Sequence, residues 1–168
     1  MVEGDPAAPY TDATRARLEV AFAAYELADL ARAAVPIGEH ELSPDGTGRS
    51  AGATLADAAH VLGAARRFFE AAAVFERMAG ADWELVGDTL GVSARAARDR
   101  FAVAEVCFRE GANGPRGETS WWRAHLAEQP LEAARDLDDW VLRHRDGDGD
   151  LGTTPVSGGL VRRVNTGG

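Results

Sequence analysis

Apolar residues recur at helical spacing near the start of the chain. Leu18, Phe22 and Tyr25 follow one another at intervals of four and three residues, with alanines among the residues between them. This pattern predicts a helix over residues 11–34. Residues 1–10 hold few large apolar groups and predict a flexible N-terminus.

A longer apolar stripe marks a second helix. Leucine, alanine and phenylalanine residues recur at helical spacing from Leu55 to Phe69 and beyond, so this helix needs a packing partner. Thr54, with Asp57 three residues later, predicts a start that resembles a capping box. The preceding residues, 36–53, are rich in Gly, Ser, Thr and acids, and they predict a mobile loop.

Residues 82–101 contain two helix starts and one helix end within a short distance. They read DWELVGDTLGVSARAARDRF. Asp82 and Ser93 are good N-caps, and Gly91 stands where a left-handed residue commonly ends a helix. Val92 is expected to plug the turn into the core. The segment therefore predicts a short helix, a three-residue turn and a second helix, which is the order of a helix-turn-helix.

The side chains of this segment divide between two faces. Ala97 and Phe101 lie four residues apart and are expected to face inward, whereas Arg95 and Arg98 are expected to face outward. Gly87, in the first helix, is small enough to allow the second helix to approach closely.

Two further helices are predicted in the C-terminal segment, residues 111–145. A linker rich in glycine leads to a helix that carries Trp121 and Trp122, and a second helix carries Trp140. Residues 146–168 are rich in Gly, Asp and Thr and predict a disordered tail.

No segment shows the β-branched alternation of a strand, so the chain predicts an all-α bundle of about five to six helices. Its main helical domain covers residues 11–110, with the helix-turn-helix at 82–101. Hydrophobic residues make up 45% of the chain, which is enough for a core.

The charge balance limits the possible partners. The net charge of −9 argues against a protein that coats nucleic acid or an anionic membrane with its whole surface, but it allows a local basic face. All 18 basic residues are arginine, which together with abundant alanine suggests a bacterial genome of high GC content. No stretch is apolar enough to span a bilayer and no secretory signal is visible, so we expect a cytoplasmic protein.

The region around the helix-turn-helix, residues 71–109, resembles small actinobacterial helix-turn-helix DNA-binding proteins, in the version found in region 4 of sigma factors. The positions that carry the resemblance are Trp83, Glu84, Gly87, Leu90, Gly91, Val92, Ser93, Arg95, Ala97, Arg98, Arg100 and Phe101. The preceding run AAAVFERMAGA is similar to the helix that leads into that motif.

The resemblance implies a bacterial DNA-binding protein, a transcriptional regulator or an architectural factor, which inserts the helix starting at Ser93 into the major groove. The residues expected to contact double-stranded DNA are Ser93, Ala94, Arg95, Arg98, Arg100 and Arg77. Arg95 and Arg98, with Ala94, would approach base edges, because guanidinium groups can bond guanine bidentately. Ser93 and the helix N-terminus would meet a phosphate. Residues 94–101 carry a net charge of only +2, so a homodimer on two half-sites is expected.

The alternative is an acidic protein-interaction module, in which the helix-turn-helix is only a packing corner. Adjacent residues on a helix project about 100° apart, so Trp121 and Trp122 cannot both face one core. The spare indole, together with Trp140, would then lie at a dimer or partner surface, for example one for an RNA polymerase or sigma-factor component.

Enzyme chemistry and cofactors are not expected. The chain shows no nucleophile elbow, phosphate loop or carboxylate pair. Asp146, Asp148 and Asp150 alternate as at the start of a calcium loop, but the glycine and glutamate that such a loop needs further on are missing, so no metal site is predicted. Cys107 lies in an apolar helix and is expected to be a buried, inert thiol.

Overall fold

The computed structural model describes residues 10–110, 120–145 and 149–163, with the backbone alone for residues 120–123. The described residues form six α-helices and one short 3-10 helix, and they contain no β-strand. In chain order these are α1 (Asp12–Ala33), α2 (Ala53–Met78), α3 (Trp83–Leu90), α4 (Ala94–Arg109), α5 (Ser120–Glu128), α6 (Pro130–His144) and the 3-10 helix Ser157–Gly159. The all-α prediction is confirmed.

The two long helices form an antiparallel hairpin. Arg67 of α2 donates to Glu26 of α1 over 3.0 Å, and Arg17 of α1 lies near Phe75 at the other end of α2. Ala64 is fully buried between them. The hairpin is the frame on which the remaining helices pack.

The start of α2 differs from the prediction. Gly52, with a φ of 83°, turns the chain into the helix, and no side chain caps it. Thr54 already lies within the helix, so the capping-box prediction is wrong. The loop before it contains a turn in which Ser43 donates its N–H to the carbonyl of Thr47 over 2.8 Å.

The described residues form two apolar cores, and the one that joins α1 to the C-terminal part of the chain is called the terminal core. It contains Leu18 of α1, Leu126 of α5 and Leu137 of α6, with Val156 and Leu160 packed against it. The prediction of a disordered tail is therefore wrong for residues 149–163; residues 146–148 and 164–168 lie outside the described part. Two apolar residues of the tail, Val156 and Leu160, were the signal that this segment packs on the core.

Hydrogen bonds attach the tail to distant helices. Asp138 of α6 is buried and accepts the backbone N–H groups of Val156 and Ser157, at 2.6 and 2.9 Å. Thr14 of α1 accepts the N–H of Val161 over 3.1 Å. Tyr10, placed by prediction in the flexible N-terminus, is buried and pairs with Arg162, which corrects the prediction at that position.

The second core is called the helix-turn-helix core. Ala73 of α2, Val86 of α3 and Ala97 and Phe101 of α4 are its buried residues. The rings of Phe69 and Phe101 meet edge to face with centroids 5.3 Å apart. The C-terminal half of the apolar stripe of α2 thus packs against α3 and α4.

Candidate nucleic-acid interface

The helix-turn-helix has the helix limits and caps that the sequence predicts. The Asp82 carboxylate accepts the N–H of Leu85 over 2.8 Å, and the Ser93 hydroxyl oxygen accepts the N–H of Ala96 over 3.1 Å. Gly91 has a φ of 68°, which is the left-handed conformation expected at the end of a helix. The turn between α3 and α4 is therefore fixed at both ends.

Gly87 allows the turn to close. A Cβ atom at this position would lie 2.7 Å from the carbonyl oxygen of Val92 and 3.0 Å from the amide nitrogen of Ala94. The Val92 N–H also donates to the carbonyl of Gly87 over 2.9 Å. The backbone of the turn therefore occupies the space that a side chain would need. The Val92 side chain is 44% exposed, so its predicted role as a core plug is wrong.

The start of α4 carries the predicted base-reading arginines. Arg95 and Arg98 are both exposed, and they project about 60° apart because they lie three residues apart on a helix. The Arg95 side chain is 90% exposed, and it lies 4.0 Å from the Asp99 carboxylate. Ala94 is half-buried beside them. The backbone N–H groups at this helix start point outward, as at any helix N-terminus.

Arg100 lies on another flank of α4. It projects about 140° away from Arg95 around the helix. Its guanidinium carbon stands 4.8 Å from the ring centre of Phe69 and 5.4 Å from that of Phe101. The structure therefore does not group Arg100 with the two arginines at the helix start.

Arg77 is directed into the protein. Its guanidinium donates to Glu105 over 3.0 Å and to the carbonyl of Ala81 over 2.7 Å, and it lies 4.3 Å above the ring of Trp83. One side chain thus joins α2, the turn after it, α3 and α4. The residue expected to reach the DNA backbone instead fastens the helix-turn-helix to the hairpin.

Glu105 is a buried acid that sequence reasoning missed. Arg77 and Arg109 both donate to its carboxylate, the latter over 3.1 Å. Burial by itself raises the pKa of Glu105, but the hydrogen bonds and positive charges of the two arginines outweigh burial and hold the pKa below its ordinary value. The four-residue spacing from Arg109 was the available signal.

Trp140 packs against residues of α1 in the same chain. Its indole N–H donates to Asp29 over 3.1 Å, and its ring meets that of Tyr25 edge to face at 5.5 Å. Burial and the adjacent Asp29 carboxylate raise the pKa of Tyr25 above its ordinary value. The side chains of Trp121 and Trp122, also predicted as partner-binding, lie outside the described residues.

Cys107 is exposed, so the prediction of a buried thiol is wrong. Its neighbours Val103 and Val106 are 72% and 49% exposed. The inward face of this part of α4 is occupied by Phe101 and Glu105 instead. Helical spacing therefore places Cys107 and the two valines on the outward side.

Two general findings bear on the kind of site. In the described part of the chain, no group of three or more His, Cys, Asp or Glu residues is arranged to hold a metal ion. None of the described helices has the length and apolar character needed to cross a membrane.

Comparisons with protein-family models, with curated proteins and with solved structures gave no match. The resemblance to helix-turn-helix DNA-binding proteins therefore stays a prediction from the sequence. The geometry of the site carries the functional argument by itself.

Proposed function

We propose that the chain is a bacterial DNA-binding protein, a transcriptional regulator or an architectural factor, which inserts the start of α4 into the major groove of double-stranded DNA. The observation that carries the proposal is the exposed, capped start of α4, where Arg95 and Arg98 lie one helical turn apart directly after the three-residue turn. Major-groove readers of this class contact base edges with residues at the start of the second helix.

The contacts divide into two kinds. Arg95 and Arg98 read base edges, because a guanidinium matches the two acceptors of guanine. The Ser93 hydroxyl is already an acceptor within the cap, but its proton remains available to a phosphate oxygen. Ala94 contacts the bases through its methyl group. Arg77 is held inside the unit by Glu105, and Arg100 lies over the rings of Phe69 and Phe101, so both are left out of the contact set.

A homodimer is part of the proposal, because one copy of this face can neutralise few phosphates. The apolar stripe of α2 supports a pairing surface. Phe69 packs on Phe101, but Leu62 and Leu55, one and two heptads before Phe69, are 52% and 76% exposed. Equilibrium sedimentation should give twice the chain mass of 17.8 kDa. A Leu55→Glu, Leu62→Glu variant should be a monomer, whereas a Leu42→Glu variant, changed in the loop, should remain a dimer.

The DNA proposal is tested by mobility shift of random and genomic duplexes at low and moderate salt. Wild-type protein should shift DNA, and the shift should weaken steeply as salt rises. An Arg95→Ala, Arg98→Ala variant should bind at least about tenfold more weakly. An Arg32→Ala, Arg135→Ala variant loses the same charge from exposed sites on α1 and α6 and should bind like wild type. Equal binding by both variants, or no shift with a folded helical spectrum, would overturn the proposal.

The second candidate function is a protein-interaction module, in which the helix-turn-helix serves only as a corner. The exposed leucines of α2 favour it, since scattered apolar side chains are common but a periodic stripe is not. Partner capture should then survive loss of Arg95 and Arg98. Partner capture should fail in the Leu55→Glu, Leu62→Glu variant if α2 binds the partner. It should fail when Trp121 and Trp122 are replaced if the C-terminal indoles bind it.

A further inference from the structure

A cleft of about 570 Å³ lies between α1, the end of α2 and residues 155–161 of the tail. Its walls are mostly apolar, with Leu18 and Ala21 on one side, Phe75 on a second and Val156 and Leu160 on a third. Its volume falls within the range of small-molecule sites, which runs from roughly 300 to 1,000 Å³. No described residue of α4 lines the cleft.

The ionisable side chain at this cleft is basic and exposed, although the chain as a whole is acidic. Among the described residues that line it, Arg17 is the one ionisable group. The Arg17 guanidinium lies 6.0 Å from the ring centre of Phe75, and among the described residues it makes no ion pair. The positive end of the α1 dipole lies at the same cleft, because Thr11 and Thr14 also line it.

We propose that this cleft binds a small organic monoanion with an apolar body. A carboxylate would pair with Arg17, since guanidinium and carboxylate form two parallel hydrogen bonds. The apolar body would lie against Leu18, Val156 and Leu160. A cation is disfavoured by Arg17, and no carboxylate among the described lining residues could receive it.

The position of the cleft gives an occupant a route to the helix-turn-helix. Phe75 and Ala79 lie two residues before and two residues after Arg77 along the chain, and the Arg77 side chain joins α2 to α3 and α4. A ligand that presses on this last turn of α2 would shift the unit that Arg77 fastens. An effect of the ligand on DNA binding rests on the proposed function, whereas binding of the ligand does not.

The test is titration calorimetry with decanoate in the absence of DNA. Wild-type protein should bind decanoate, and Arg17→Gln should bind it about tenfold more weakly, because a charge-assisted hydrogen-bond pair is lost. Arg32→Gln, further along the same helix, should bind like wild type. Decan-1-ol, which keeps the chain and lacks the charge, should bind wild type about as weakly as decanoate binds Arg17→Gln.

A second variant separates the cleft from the charge. Ala79→Phe adds bulk to the wall, leaves Arg17 in place and should also weaken decanoate binding. Circular dichroism should show that each variant keeps its helices. Undetectable decanoate binding at millimolar concentration, or equal affinity in wild type, Arg17→Gln and Ala79→Phe, would overturn the proposal. Neither result depends on whether the protein shifts DNA.

Discussion

The two cores of this protein are similar in size but differ in how far along the chain their parts lie. The helix-turn-helix core draws on residues between Phe69 and Glu105, so most of its contacts join neighbouring elements. The terminal core joins α1 to a segment about 150 residues later, through Thr14 and Val161 among others. Contacts close in sequence leave signals in caps, turns and spacing, whereas contacts across the whole chain leave few.

The polar groups of the two cores differ in the same way. Arg77 and Glu105 form an ion pair within the helix-turn-helix core, whereas Asp138 of the terminal core receives two backbone N–H groups of a loop. A side-chain pair fastens helices that already have their own hydrogen bonds. A carboxylate that satisfies a loop backbone creates the structure of that loop. Asp138 therefore holds the loop of the terminal core in place.

The largest expected effect comes from breaking the buried ion pair. Arg77→Ala should lower the free energy of unfolding by about 3 kcal/mol, because Glu105 keeps its charge while losing its main partner in a buried site. Urea unfolding measures the change. Arg66→Ala, an exposed arginine of the same helix, should change stability by less than about 0.5 kcal/mol. Similar losses in the two variants would contradict the role assigned to Arg77.

A pair of glycine substitutions should move stability in opposite directions. Gly87→Ala should cost about 2 kcal/mol, because the new Cβ meets rigid backbone at 2.7 Å. Gly63→Ala, within α2, meets only the end of the Arg67 side chain at 3.5 Å and should add about 0.5–1 kcal/mol through helix propensity. Both values come from the same unfolding experiment. A stable Gly87→Ala protein would mean that the turn is wider than described.

The terminal core is tested at its carboxylate. Asp138→Ala should cost about 1.5 kcal/mol, since the N–H groups of Val156 and Ser157 lose a charged acceptor. Hydrogen exchange should become faster over residues 155–161, while the amides of α3 and α4 keep their protection. Asp136→Ala, at an exposed position of α6, is the matched control. Faster exchange across both cores would show that they open as one unit.

The smallest effect is a dependence on pH in the helix-turn-helix core. The pKa of Glu105 is lowered on folding, so its contribution is complete above the ordinary glutamate pKa of about 4.3 and is lost as pH falls through the lowered value. The stability difference between wild type and Glu105→Gln should therefore shrink on acidification from pH 7 to pH 3. A difference that stays constant over this range would contradict the assigned direction.

The caps and the turn of the candidate site could be predicted from the sequence more readily than the ion pair that fastens the site to α2. Asp82, Gly91 and Ser93 are local signals, and each acts in the structure as its residue type predicts. The resemblance implies a DNA contact for Arg77, but a buried acid 28 residues later gives this arginine an internal partner. No local pattern contains that pairing.

By itself, the sequence determined the helices and the turn between α3 and α4, because spacing, caps and a left-handed glycine act within a few residues. Only the tertiary structure decided which faces are covered. It buried Glu105 and Asp138, left Leu55 exposed and ordered the segment around Val156. Burial depends on which distant element packs against a helix face. The free energy of that contact depends on both surfaces together, so neither stretch of sequence determines it alone.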